Sequence, residues 1–529
     1  MIGEAAAGIA AGETALGIEL GSTRIKAVLI DRRGSVLATG GFDWENQFVD
    51  RIWTYPLHLV WQGLAGAYRS LADQVGANFG VPLETVGSIG ISAMMHGYLV
   101  FDSDDNQLVE FRTWRNSMTE RAADTLTRVF EFNVPQRWCA AHLAHAILND
   151  EPHVNKIAYM TTLAGLVHWK LTGRKVVGVG DASGMFPIDP GTAQFHKAML
   201  EKFDALFAEM SLGWKVAEIL PEVLMAGQDA GVLSEFGAQL LDPTGTLKAG
   251  IPLAPPEGDG ATGMVATNSV LPRTGNTSVG TSIFTMVVME RPLKEVHVEI
   301  DIINTPTGDP VAMVHCNNGA NEVNAWAGIF AEFAQAIGSS ASIGDVFETL
   351  FNSSLAGDPD CGGLLSYNYL AGEVITGLSE GRPLFLRTPN SRFNLANFVR
   401  SQIYAVFGTL ALGMRILESE HIGLDSMLAH GGLFKTKRVA QSLLTAALNT
   451  PIAVAETAGD GGAWGMAVLA AYLVEGMGRS LSDYLDQVMF ADSAVETIEP
   501  DPVQVAGFRD YLERYERALP VMRTAVESS

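Results

Sequence analysis

Gly21-Ser22-Thr23 stands between the apolar runs Leu16–Ile18 and Ile25–Ile30, and Gly280-Thr281-Ser282 stands between two further runs within residues 273–288. A hairpin tip without bulky side chains lets backbone N–H groups approach an anion closely. Glu19 lies beside the first tip, placed to hold a cation directly or through water, and Lys26 adds a positive charge on the second strand. Taken singly, each tip is also an ordinary hairpin turn; their repetition favours a phosphate cradle. A third glycine tip, His430-Gly431-Gly432-Leu433-Phe434-Lys435, runs into a helix and is another place for backbone to meet a phosphate or ribose. Asp259 sits between Gly258 and Gly260, just ahead of the second tip. Phosphoryl transfer needs positioning, neutralised charge and a base for the acceptor's proton, so Asp259, on a sharp loop, is the candidate base. The competing reading is an aspartate in a surface turn.

The acceptor would be polyhydroxylated. His96 lies in Met94-Met95-His96-Gly97, directly after a buried strand run, where it is either a packing residue or a hydrogen-bond donor to substrate. Met94 and Met95 read equally as core filler. Trp114, Arg115 and Asn116 offer a ring face for sugar C–H surfaces and an amide with paired donor and acceptor; the other reading is a rim tryptophan beside a solvated arginine. Asp181, in Gly180-Asp181-Ala182-Ser183-Gly184, reads as a turn cap in a polar loop. Glu456 and Asp460 read as capping or preceding the helix at 460, and Trp464 as core.

These residues need a frame of strands and helices. The opening hairpin continues through the turn Asp31-Arg32-Arg33-Gly34 into a third short strand at 35–40, a β-meander rather than the strand–helix unit of a dinucleotide fold. No GxxxxGK[ST] stretch is present, which excludes a P-loop. Helical spacing predicts helices over 56–79, 119–130, 161–171, 194–211, 320–335, 342–352, 394–418, 435–448 and 460–476. Strands are expected over 86–91, 98–101, 427–429 and 452–454. The Pro/Gly-rich stretch 252–263 marks a boundary near 268, giving domains 1–268 and 269–529.

Composition narrows the class. A chain of 529 residues, 47% hydrophobic and 18% charged, fits a globular protein of two or more domains. The net charge of −24 argues against a general nucleic-acid or anionic-membrane binder, although a nucleotide needs only local donors and a metal. The three cysteines, Cys139, Cys316 and Cys361, form no CxxC and suit a reducing compartment. Residues 1–14 read as a loose leader without the basic region of a secretion signal, and the apolar run 462–474 is too short to span a bilayer. A cytoplasmic location is expected.

In order and spacing, these motifs resemble the FGGY carbohydrate kinases of the actin/hexokinase/Hsp70 superfamily. Glu19-Leu20-Gly21-Ser22-Thr23 with Lys26 looks like the first phosphate motif and Gly280-Thr281-Ser282 like the second. Asp181-Ala182-Ser183-Gly184 looks like the family's D-A-S-G segment, Gly258-Asp259-Gly260 like its catalytic loop, and Tyr369-Leu370-Ala371-Gly372-Glu373 like its tyrosine/leucine-x-G-E turn. Gly431-Gly432, Lys435, Gln441, Glu456 and Gly462-Ala463-Trp464-Gly465 look like the adenosine-side block.

The resemblance implies an α/β fold of two ribonuclease-H-like domains with a cleft between them. It implies ATP and Mg²⁺, with Glu19 reaching the metal through water, and a sugar lying mostly on the first domain. ATP-dependent phosphorylation would use Asp259 as base. The phosphates would lie at Gly21, Ser22, Thr23, Lys26, Gly280, Thr281 and Ser282, with Gly431, Gly432 and Lys435 by the nucleotide. Met95-His96-Gly97 is similar to the M-H-G of xylulokinases, so D-xylulose or another ketopentose leads, bound by Met95, His96, Trp114, Asn116 and Asp259. The family also implies a homodimer.

Several residues depart from the family pattern: Glu19 replaces aspartate, Met94 a glutamine, Arg115-Asn116 an N-D pair and Gly260 an amide residue. These leave open ribulose, a tetrulose, a polyol or an aldonate as acceptor. A non-catalytic sugar or nucleotide sensor, or an actin- or chaperone-like ATPase, are the readings from other classes.

Overall fold

The computed structural model describes residues 2–454, 461–476, 478–493 and 495–528. The chain forms two compact units. The first comprises Met1–Val270, Ile302–Val311 and Gly459–Ser493, and the second Leu271–Asp301, Ala312–Ala458 and Ala494–Ser529. The first unit's continuous part therefore ends two residues beyond the boundary expected at 268, and two later segments return to it.

In the first unit, β1 (Thr14–Leu20), β2 (Arg24–Asp31) and β3 (Val36–Asp43) form the expected meander. Strands β4 (Ser88–Ala93) and β5 (Glu257–Gly258) extend it to a five-stranded sheet in the order β5-β4-β1-β2-β3. β1 runs antiparallel to β2 and parallel to β4, which is parallel to β5. Alternation along β1 separates two packing faces. Leu16, Ile18 and Leu20 join the core that includes Val60, Leu64 and Leu71 of helix α1 (Leu57–Phe79). Gly17 and Glu19 point the other way. A Cβ on Gly17 would lie 2.1 Å from the Ala463 carbonyl oxygen, so the glycine lets a later helix, Gly461–Glu475, rest against the strand backbone.

The second major sheet contains β6 (Thr274–Val279), β7 (Ile283–Val288), β8 (Ile300–Asn304), β9 (Pro310–Cys316), β10 (Ser426–His430), β11 (Ile452–Val454) and β12 (Glu496–Ile498). Their order is β8-β9-β7-β6-β10-β11-β12. β6 pairs antiparallel with β7 and parallel with β10, which is parallel to β11. The arrangement around β6 thus repeats that around β1: an antiparallel hairpin on one side and parallel strands on the other. The central Leu395–Ser419 helix is buried over most of its length, as its continuous apolar spacing predicts.

Three local expectations change. Residues Ile2–Ala10 form a helix whose Ile9 enters the core, in place of a loose leader. The polar loop expected at Gly180–Met185 is instead a buried helical turn, Val179–Ala182, followed by buried Ser183, Gly184 and Met185. The sharp loop expected around Asp259 is a helix N-terminus: Gly258 caps Asp259–Ala266. Small side chains in these segments leave the local preference weak, and long-range packing decides. Glu456 and Asp460 lie outside the described residues. No described helix is long and apolar enough to cross a membrane.

Candidate active site

In the first unit the acidic site residues stand near the carboxyl ends of adjacent strands, where open α/β sheets place ligands. Strand register sets Glu19 beside Ser92, and Ser92 beside Glu257. Asp259 follows immediately as the first helical residue after β5. The Met95 N–H donates to Asp259 Oδ1 at 3.4 Å, joining residues 164 apart in the chain. A Cβ on Gly258 would come within 2.2 Å of Met95 Cγ, so the Met-His-Gly segment packs directly on the strand end that delivers Asp259.

His96 is buried and takes φ of 70°, with Gly97 following at 104°. This left-handed pair turns the chain sharply after β4. The imidazole lies 3.5 Å from the Gly184 carbonyl oxygen through Nδ1, and it stacks on Trp138 with ring centroids 6.5 Å apart. Burial, and then the Arg137 guanidinium, push its pKa well below the ordinary histidine value. His96 is therefore neutral at pH 7, with one ring nitrogen to donate and one to accept.

Burial raises the pKa of Asp259, against the pull of the Met95, Gly260 and Asp259 amides and of Arg137. Glu19 is pushed up to about 7, first by burial and then by the Asp259 charge, while Lys26 and the Ala463 amide oppose the shift. A Cβ on Gly462 would lie 2.4 Å from Glu19 Oε1, so the glycine admits that carboxylate against the first turn of the Gly461–Glu475 helix. Gly462–Gly465, grouped with the adenosine-side block by resemblance, lie in the first unit, with Gly462 next to Glu19 and Gly465 against the Thr262 backbone.

Two further carboxylates belong to this neighbourhood. Asp181 is buried, takes a short hydrogen bond from the Thr162 hydroxyl at 2.5 Å, and is pushed up to about 7 chiefly by burial. Glu257 accepts the Asp181 N–H at 2.9 Å and the Gly180 N–H at 3.4 Å, and burial followed by the Asp181 charge pushes it up to about 8. In the sequence Asp181 reads as a turn cap and as the first residue of the D-A-S-G segment, and Glu257 carries no role. The signal for Glu257 was a carboxylate two residues from a candidate base, inside an otherwise apolar and Pro/Gly-rich stretch.

The first tip is braced from below. Trp44 Nε1 donates to the Gly21 carbonyl oxygen at 2.7 Å and the Tyr55 hydroxyl to that of Ser22 at 2.6 Å, while Lys26 faces Glu19 across the hairpin. Trp114 is exposed, and Arg115 lies over the Trp53 ring at 3.8 Å. Asn116 is buried and bonds to backbone: its Oδ1 accepts the Trp53 N–H, and its Nδ2 donates to the Trp53 and Thr113 carbonyls. Its amide is spent on holding that loop.

The second unit builds its own tip. Gly280–Ser282 is clasped by the Gly319 and Ala320 amides, which donate to the Thr281 and Gly280 carbonyls at 2.7 and 2.8 Å. Gly319 has no room for a Cβ, which would meet the Gly280 carbonyl oxygen at 2.3 Å. Glu373 supports this loop by accepting from the Asn317 N–H and from Asn318 Nδ2, so the Tyr369–Glu373 turn buttresses the tip. Gly431 takes φ of 114°, and a Cβ there would lie 2.3 Å from the Val279 carbonyl oxygen. Gly432–Lys435 forms a short 3₁₀ turn with Lys435 exposed. Gln441, by contrast, is buried and donates to the Ile452 and Glu496 carbonyls, tying β11 to β12.

Residues 14–266 match the N-terminal domain of the FGGY family of carbohydrate kinases and residues 275–474 its C-terminal domain. The chain belongs to the FGGY family of carbohydrate kinases, ATP-dependent enzymes with a mixed α/β two-domain fold. It is 24% identical to the xylulose kinase of Escherichia coli over 228 residues, 40% of this chain and 45% of that protein. To the xylulose kinase of Haemophilus influenzae it is 21% identical over 448 residues, covering 81% of this chain and 83% of that one. Among solved structures, a ligand-bound xylulose kinase from Lactobacillus acidophilus superposes with a TM-score of 0.77 at 16% identity, covering 98% and 99% of the two chains. A gluconate kinase from the same organism superposes with a TM-score of 0.76 at 16% identity, covering 98% of each.

Proposed function

We propose that this kinase phosphorylates a hydroxyl of a small open-chain sugar, a ketopentose such as D-xylulose, with Asp259 as general base and Mg-ATP as donor. The observation that carries the reading is the meeting of Met95-His96-Gly97 with Asp259: the Met95 amide bonds to the carboxylate that would take the acceptor's proton. The names of the matched relatives support the ketopentose.

In this mechanism Asp259 accepts the hydroxyl proton as the oxygen bonds to the γ-phosphorus and the bond from that phosphorus to the β–γ bridging oxygen breaks, releasing ADP. Burial raises the Asp259 pKa, so the ionised carboxylate is a stronger base than that of a free aspartate. With Nδ1 donating to the Gly184 carbonyl, neutral His96 offers Nε2 as the acceptor for a substrate hydroxyl. The Gly21–Thr23 tip with Lys26, and the Gly280–Ser282 tip, supply donors to phosphate oxygens, and Gly431, Gly432 and Lys435 serve the nucleotide. Exclusion of water from the reacting groups would limit wasteful ATP hydrolysis.

Magnesium fits the first unit's chemistry. Glu19 and Asp259 repel one another, and a divalent ion that keeps most of its waters needs only one or two carboxylates beside the phosphates. No described group of three or more acidic, histidine or cysteine side chains forms a closed cage, so Glu19 would hold the ion through water. The ion would neutralise charge on the phosphates.

An aldonate is the second reading, favoured by the Arg137 guanidinium whose charge acts on both Asp259 and His96. A coupled ADP-release screen over ketoses, polyols and aldonates decides. Turnover fastest on a ketopentose supports the first reading, and preference for an aldonate replaces it. ATP binding without ADP release on any acceptor would leave a sensor.

A further inference from the structure

Glu257 is an unusual residue to bury. Its side chain is 1% exposed, two residues before Asp259, on the short strand β5. No cation pairs with it among the described ion pairs. Instead it accepts two backbone amides, those of Gly180 and Asp181. The chain makes room for it: a Cβ on Gly178 would lie 2.4 Å from its Cδ and Oε1, and one on Gly180 would lie 2.6 Å from its Oε2. One residue earlier, the Gly178 amide donates to the Pro256 carbonyl at 2.7 Å.

The clasp extends outward from there. Asp181 Oδ2 takes the Thr162 hydroxyl, and Thr162 Oγ1 accepts the Gly165 N–H at 3.0 Å as N-cap of the Leu163–Thr172 helix. Four backbone segments are thereby fixed to one another: the helix cap at 162–165, the buried turn at 178–182, the strand end at 256–258, and the Met95 loop that packs on Gly258. Asp259 emerges from the middle of this assembly.

We propose that Glu257 is a positioning residue: by gripping the Gly180 and Asp181 amides it fixes the strand end that presents Asp259 to the acceptor hydroxyl. The proposal rests on the reading of Asp259 as the base. Glu257 accepts one amide on each of its two oxygens, which a single side chain with one acceptor oxygen does not reproduce. Glutamine offers one acceptor oxygen and would turn its NH₂ toward the other donor, and alanine offers neither. Displacing the base by about 1 Å costs turnover on the order of 100-fold, without touching the nucleotide.

The test compares Glu257→Gln and Glu257→Ala with the wild-type enzyme in steady-state kinetics, thermal unfolding and amide hydrogen exchange. We expect kcat to fall about 10-fold for Gln and about 100-fold for Ala. KM for ATP should stay within about two-fold, and protection should be lost at Gly180 and Asp181. A kcat within two-fold of wild type in both variants overturns the proposal. So does a loss of kcat that is matched by a loss of folded protein. Unchanged exchange at those two amides overturns the clasp itself, whichever acceptor the enzyme prefers. If Asp259→Asn keeps full turnover while the exchange result holds, the assignment of the base has failed and the clasp has not.

Discussion

At the scale of single residues, the first unit concentrates carboxylates whose protons are held more tightly than usual. Asp259→Asn or Asp259→Ala should reduce sugar phosphorylation by about 100- to 10,000-fold, the range for removing a general base, while calorimetry still detects ATP binding. Because Asp259 acts only when ionised and burial raises its pKa, kcat/KM should decline on the acid side at a pH above the ordinary aspartate range. A flat acid limb would argue for another base. Glu19→Ala should weaken turnover more than sugar binding, with the loss deepest at limiting magnesium. An unchanged kcat in that variant would remove the metal role from Glu19.

At the scale of elements, glycines set how closely helices approach strands and loops. Gly17 and Gly90 face one another in the β1–β4 register, and a Cβ on either would meet backbone of the Gly461–Glu475 helix: Ala463 O at 2.1 Å and Met466 O at 2.7 Å. Backbone atoms of a packed helix do not rotate away as a side chain does. Gly17→Ala should therefore destabilise the first unit by about 1–3 kcal/mol, seen as a lower unfolding midpoint. In the second unit, Gly319→Ala should distort the Gly280–Ser282 tip and raise KM for ATP, since the contact there is with the tip's own carbonyl. A variant with wild-type KM for ATP would show that this tip does not serve the nucleotide.

At the scale of the whole molecule, net charge and buried carboxylates act in the same direction. The chain carries −24 charges, and Glu19, Asp181 and Glu257 have folded-state pKa values of about 7, 7 and 8. Unfolded carboxylates titrate near the ordinary range of about 4. Between these values the folded chain binds more protons than the unfolded one, so stability falls as pH rises. Without nucleotide or metal, the unfolding midpoint should therefore drop steadily from about pH 5 to about pH 8, and Glu257→Gln should flatten part of that slope. A midpoint that rises over this window would mean these carboxylates are ionised in the folded protein.

The sequence by itself determined the family, the paired hairpins and most helices, because alternation and 3.6-residue spacing are local and strong. The strand Ile452–Val454 and the helix Leu57–Phe79 were legible to within a residue. It also singled out Asp259 and Met95-His96-Gly97. Only the tertiary structure decided that Asp259 opens a helix, that Asn116 spends its amide on Trp53 and Thr113, and that Asp181 and Glu257 are buried together. The bond between Met95 and Asp259 spans 164 residues, and that between Asp181 and Glu257 spans 76. A carboxylate's burial and pKa come from atoms that the fold brings to it, and no local pattern of residues carries that information.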